Sequence, residues 1–135
     1  MGYTISQAAE KMNLTAHTLR YYEKEGLMPF VERTESGIRI FKDSDLEWLS
    51  VICCLKGTGM SIKKIKEYID LSLEGDSTLE ERRQIFIRQR ESVLAQIREM
   101  QKHLTKLDYK IQFYDQACAA KIKRNQLQKP LKQPV

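Results

Sequence analysis

No stretch of the 135 residues is apolar over the roughly 18 positions needed to cross a bilayer. The start of the chain also lacks the basic flank, apolar core and small-residue site of a secretory signal. The expectation is a cytoplasmic protein with no membrane partner. Only three cysteines are present, and two of them, Cys53 and Cys54, are neighbours. Adjacent helical residues point about 100° apart, so the pair makes a poor disulfide and reduced thiols are expected. Histidine is scarcer still. His17 and His103 stand far apart in sequence, and neither accompanies a matching nucleophile or paired carboxylates. With no catalytic constellation in view, the chain is not expected to be an enzyme. Cys118 has no second Cys and no His after it to share a metal ion. No cofactor or metal is expected.

An excess of one charge is also lacking, except at the end of the chain. Up to Ile69 there are ten Lys and Arg against nine Asp and Glu; from Asp70 to Ala120, eight against nine; from Lys121 onward, five against none. The formal net charge of +5 therefore sits in the tail. Net charge does not argue for nucleic-acid binding by the folded part, and the placement of individual residues has to carry that case.

TISQAAEKM opens with Thr4 at a plausible N-cap and Gln7 three residues on, a capping box that starts a short helix. After Asn13, Thr15 caps a second helix, AHTLRYYEKE, which stops at Gly26. Two short helices joined by a tight turn form a helix-turn-helix candidate. Pro29 then forbids helix, and Val31 to Arg33 with Ile38 to Phe41 read as a hairpin around Glu35-Ser36-Gly37. A third helix starts at Asp43 or Ser44 and runs to about Thr58, and a fourth runs from Ser61 to near Leu73.

From Thr78 the pattern changes. Phe86, Val93, Met100, Leu107 and Tyr114 share one heptad position and Ile97, Leu104, Ile111 and Cys118 the other, with Arg90 the one exception. A helix of about 40 residues reaches roughly 60 Å, too far to bury its seam against a domain of about 70 residues. A partner helix is needed, and a homodimer is the expectation. The alternative, one helix folding back on itself, has no Gly or Pro to make the turn. KIKRNQLQKPLKQPV, which contains two prolines, reads as disordered.

On the second helix Ala16, Leu19 and Tyr22 share the core-facing side. His17, Arg20, Tyr21 and Lys24 share the opposite one, with Thr18 counted among them. A cation, an imidazole, a phenol and an ammonium on a helix of this width suit a major groove, though any polar surface helix shows a similar face.

TLRYYEKEGLMP, ESGIRIF, DLEWLSVI and LKGTGMSIKKIKEYI, in this order, resemble the DNA-binding half of the MerR family of transcription regulators over about the first 70 residues. The long helix afterwards is similar to that family's dimerisation helix. The resemblance implies a mainly α fold. A winged helix-turn-helix DNA-binding domain is expected at 1–75 and a dimerisation helix, antiparallel with its partner's, at 76–120. A basic, disordered tail is expected at 121–135. By match, Arg20, Tyr21, Arg39 and Lys56 fall where the family contacts DNA; Arg33, Lys63 and Lys64 are added from charge and placement. The family often has an aromatic where Ile38 stands and a Tyr where Phe41 stands.

The resemblance further implies a homodimer on a palindromic promoter element, where it distorts the duplex for RNA polymerase when a signal arrives. VICCLKGTGM is similar to the aldehyde- and thiol-stress-responsive AdhR and NmlR branch, in which a lone cysteine occupies the position of Cys54. On the helix wheel Cys53 lies with Leu46 and Leu49 on the apolar arc, and Cys54 with Asp43, Glu47, Ser50 and Gly57 on the other side. Cys54 is thus the candidate sensor, with a structural thiol or a non-covalent apolar effector between the dimer helix and the third helix as the alternatives. Cys118, on the seam, reads as packing. A coiled-coil adaptor without DNA binding would account for the second half of the chain alone.

Overall fold

The computed structural model describes residues 2–128. In chain order it contains α1 (Ile5–Lys11), α2 (Ala16–Lys24), β1 (Glu32–Arg33), β2 (Arg39–Ile40), α3 (Asp43–Gly57), α4 (Ile62–Glu74), a 3-10 turn (Asp76–Thr78) and α5 (Leu79–Gln128). The chain divides after Glu91 into two units.

Local hydrogen bonds start the helices where the sequence signals them. The Thr4 hydroxyl accepts from the Gln7 backbone N–H at 3.1 Å, while the Gln7 side chain accepts from the Thr4 N–H at 2.9 Å. Thr15 accepts from the Thr18 N–H at 3.1 Å and Ser61 from the Lys64 N–H at 3.2 Å. Each satisfies a donor that the helix itself leaves unpaired. At α3 the buried Asp45 reaches back to the Lys42 N–H at 2.8 Å. Asn13, at φ 55, makes the turn between α1 and α2, since Asn tolerates the left-handed region better than most residues. Gly26, at φ +80, turns the chain off α2. It is the positive backbone angle that favours glycine there, since the nearest atom to a Cβ would be the movable end of the Lys66 side chain, at 2.9 Å.

The hairpin is shorter than its apolar pattern suggests. Only Glu32 with Ile40 and Arg33 with Arg39 pair, and Gly37 at φ +84 closes the tip. Its anchorage lies elsewhere: Tyr3 and Phe41 exchange backbone hydrogen bonds at 2.7 and 2.9 Å, which ties the first residues of the chain to the strand end. Phe41 is completely buried with Leu19, Leu27, Leu49, Ile52 and Ile65 in the core. A row of rings, Phe30 to Trp48 to Tyr68 to Phe86, crosses from the hairpin base over α3 and α4 to α5, with centroids 5.6, 6.0 and 5.0 Å apart. At the α4–α5 junction the buried Thr78 hydroxyl donates to the Leu71 carbonyl at 2.6 Å, and Arg82 spans Thr78 and the Gly75 carbonyl.

In the second unit no residue of α5 is buried. Ile97, Met100, Leu107 and Ile111 all lie more than half exposed, and Cys118, expected as seam packing, is exposed in the single chain. The expected disordered tail is corrected in part. Residues 121–128 continue α5, because Lys, Arg, Gln and Leu are good helix formers and no proline intervenes before Pro130. The rest of that expected tail, 129–135, lies outside the described residues. Among the described residues no helix is long and apolar enough to cross a membrane.

Candidate nucleic-acid interface

The outward side of α2 carries the residues expected there. Leu19 and Tyr22 are buried, and burial pushes the Tyr22 phenol up from its ordinary pKa. His17, Arg20, Tyr21 and Lys24 are exposed. Neither Arg20 nor Lys24 makes an ion pair among the described residues, which leaves both cations available to an anionic partner. Thr18 differs from them. Half-buried, it spends its hydroxyl on that of Thr15 at 2.9 Å and so belongs to the cap of α2.

The two arginines of the hairpin are not free in the same way. Glu23 of α2, absent from the sequence-based set, accepts from Arg33 at 2.7 Å through one carboxylate oxygen and from the Arg39 Nε–H through the other. Arg33 also donates to the Gly37 carbonyl at 2.9 Å. The structure therefore joins α2 and the hairpin into one surface through side chains. No sequence signal reveals this, since an acid between Tyr22 and Lys24 reads as an ordinary solvated residue. Lys42 pairs with Glu32 at 3.0 Å, and that hydrogen bond raises the lysine's pKa. Ile38 is exposed near the hairpin tip, whereas Phe41 is core, so position 41 offers nothing to a ligand here.

Lys56, Lys63 and Lys64 are exposed on either side of the turn between α3 and α4, and none makes an ion pair among the described residues. That turn is tied to α5. The Gln89 amide donates to the Thr58 carbonyl at 3.2 Å and to the Thr58 hydroxyl at 2.8 Å, and the Thr58 N–H donates to the Cys54 carbonyl at 3.0 Å. Cys54 is exposed on α3; Cys53 is half-buried, and burial pushes its thiol up. Among the described residues no three His, Cys, Asp or Glu side chains converge to hold a metal ion.

Residues 3–72 match the family described as MerR HTH family regulatory protein, and residues 46–110 match MerR, DNA binding. An uncharacterized HTH-type transcriptional regulator of Haemophilus influenzae is 50% identical over 119 residues, 88% of each chain. AdhR of Bacillus subtilis is 43% identical over 90 residues, 67% of this chain and 64% of its own. The crystal structure of HiNmlR, a MerR family regulator lacking the sensor domain and bound to promoter DNA, matches with a TM-score of 0.82. It is 50% identical and covers 88% of this chain and 94% of that one. With a winged helix-turn-helix, a long C-terminal helix and relatives that are transcriptional regulators rather than enzymes, this chain belongs to the MerR family, on its AdhR/NmlR-like branch.

Proposed function

We propose that the protein binds a palindromic promoter operator in the cytoplasm as a homodimer, each α2 entering one major groove, and distorts the duplex for RNA polymerase when a signal arrives. The observation that carries this is the outer face of α2: Arg20, Tyr21 and Lys24 lie exposed above the buried Leu19 and Tyr22, beside a wing held to the same helix. Lys56, Lys63 and Lys64 supply a second set of cations for phosphates, which fix register while few side chains reach base edges. The promoter DNA held by HiNmlR supports the same role for this chain. The apolar seam exposed along α5 supports pairing, because such a stripe in water is a cost that a second helix removes. A fluorescently labelled duplex covering the DNA upstream of the coding sequence should bind with a steep salt dependence, and sedimentation should find two chains per particle. Single chains, or indifference to that duplex, would refute this function.

The signal we assign to Cys54. Its thiolate adds to the carbonyl carbon of a small aldehyde and the carbonyl oxygen takes a proton, leaving an S-hydroxyalkyl adduct. The accessible thiol differs from Cys53, whose thiol burial holds in the protonated, unreactive form to higher pH. The Cys54 backbone carbonyl accepts from the Thr58 N–H in the last turn of α3, and Thr58 in turn accepts from Gln89 of α5, so the thiol stands one helical turn from the lysine-bearing turn and its tie to α5. Iodoacetamide near neutral pH should label Cys54 well before Cys53, with the gap closing as pH rises through the raised Cys53 value. Cys54→Ser should abolish induction of the target promoter by an aldehyde; unchanged induction removes Cys54 from the signal.

A further inference from the structure

Arg33 and Arg39 are register partners across the hairpin, and both guanidiniums converge on one carboxylate of another element. Glu23 uses each oxygen for a different arginine, and its side chain is 19% exposed, against 47% for Arg33 and 25% for Arg39. A two-stranded ladder of this size is marginal by itself, so its direction depends on what holds it from outside. Phe41 anchors its base in the core, while Glu23 is the side chain that ties its paired residues to α2. The arginines are oriented rather than used up. Arg39 spends its Nε–H on Glu23, and Arg33 spends one N–H on Glu23 and one on the Gly37 carbonyl, so both keep donors for a phosphate.

We infer that Glu23 is a positioning residue for DNA binding: an acid on the DNA-facing surface that strengthens binding by fixing the two wing arginines against α2. The inference rests on the DNA-binding function proposed above. Its sign separates it from plain electrostatics. Removing an acid makes the protein more positive, and charge alone then predicts tighter binding to a polyanion. Loss of positioning predicts weaker binding, because the freed wing must be ordered again on the duplex.

The experiment compares wild type, Glu23→Gln, Glu23→Asp and the control Glu32→Gln. Glu32 is an exposed acid of the same hairpin, and its ion-pair partner among the described residues is Lys42. Affinity is read by fluorescence anisotropy across a salt series, on the upstream duplex and on a duplex of random sequence, with folding checked by circular dichroism. Glu23→Gln should bind roughly tenfold more weakly. The slope of log affinity against log salt should fall by about 0.9, the share of one lost phosphate contact. Glu23→Asp, which keeps the charge but shortens the arm, should weaken binding in the same direction, and Glu32→Gln should bind as tightly as wild type or tighter. A merely structural role would lower thermal stability and leave the slope of the folded protein unchanged. The inference is overturned if Glu23→Gln binds as well as wild type with an unchanged slope. It is equally overturned if Glu23→Gln fails to fold while Glu23→Asp matches wild type. Wild type that binds neither duplex refutes the DNA-binding reading itself and this inference with it.

Discussion

Leu104→Glu together with Ile111→Glu should convert the protein to single chains in sedimentation and weaken operator binding by about 10²–10⁴-fold, the gain that linking two binding modules usually confers. Both side chains lie on the apolar seam of α5 and are exposed in the single chain, at 47% and 59%. Glu is a good helix former, so the substitutions leave the helix intact while placing carboxylates where a partner helix would desolvate them. A palindrome presents two half-sites, and a single head gripping one of them forfeits the second contact set. Lys106→Glu is the matching control: it changes the charge on the same stretch of α5 but lies off the seam. It should keep the dimer and lose little affinity. Persistence of the dimer in the seam variant would remove the basis for the pairing proposed here.

Phe41→Ala should lower the stability of the first unit by about 3–5 kcal/mol, the range for removing a large aromatic side chain from a packed core. Phe41 has no solvent exposure, and its backbone exchanges hydrogen bonds with Tyr3, so it locks the wing base, the chain start and the core at one point. Natural domains are stable by only about 5–15 kcal/mol, and such a loss moves the protein close to unfolding at physiological temperature. Urea unfolding at fixed protein concentration should show a large fall in midpoint with an unchanged slope. A change below about 1 kcal/mol would mean that the site collapses around the missing ring and that Phe41 does not anchor the wing.

The starts of α1, α2 and α4 and the seam of α5 were readable from the chain because the partners involved are near in sequence or recur at a fixed period. Thr4 meets Gln7, Thr15 meets Thr18 and Ser61 meets Lys64, each three residues away. The outward face of α2 was readable for the same reason, since a helix of known period sets which residues share a side. The continuation of α5 to Gln128 is hidden by a segment poor in apolar residues and followed by two prolines, although Lys, Arg, Gln and Leu favour helix up to Pro130.

Glu23 could not be read in this way. Its partners stand 10 and 16 residues away, across a glycine turn and a hairpin whose direction no local rule gives. The same holds for Gln89, which reaches Thr58 from 31 residues away, and for the pairing of Tyr3 with Phe41. By itself the sequence determined where helices begin, which of their faces are apolar, which cations stand opposite, and which residues of the long helix share one apolar seam. Only the tertiary structure decided which of those cations are held by an acid and which stand free, because ion pairs between distant segments depend on how the core brings their backbones together.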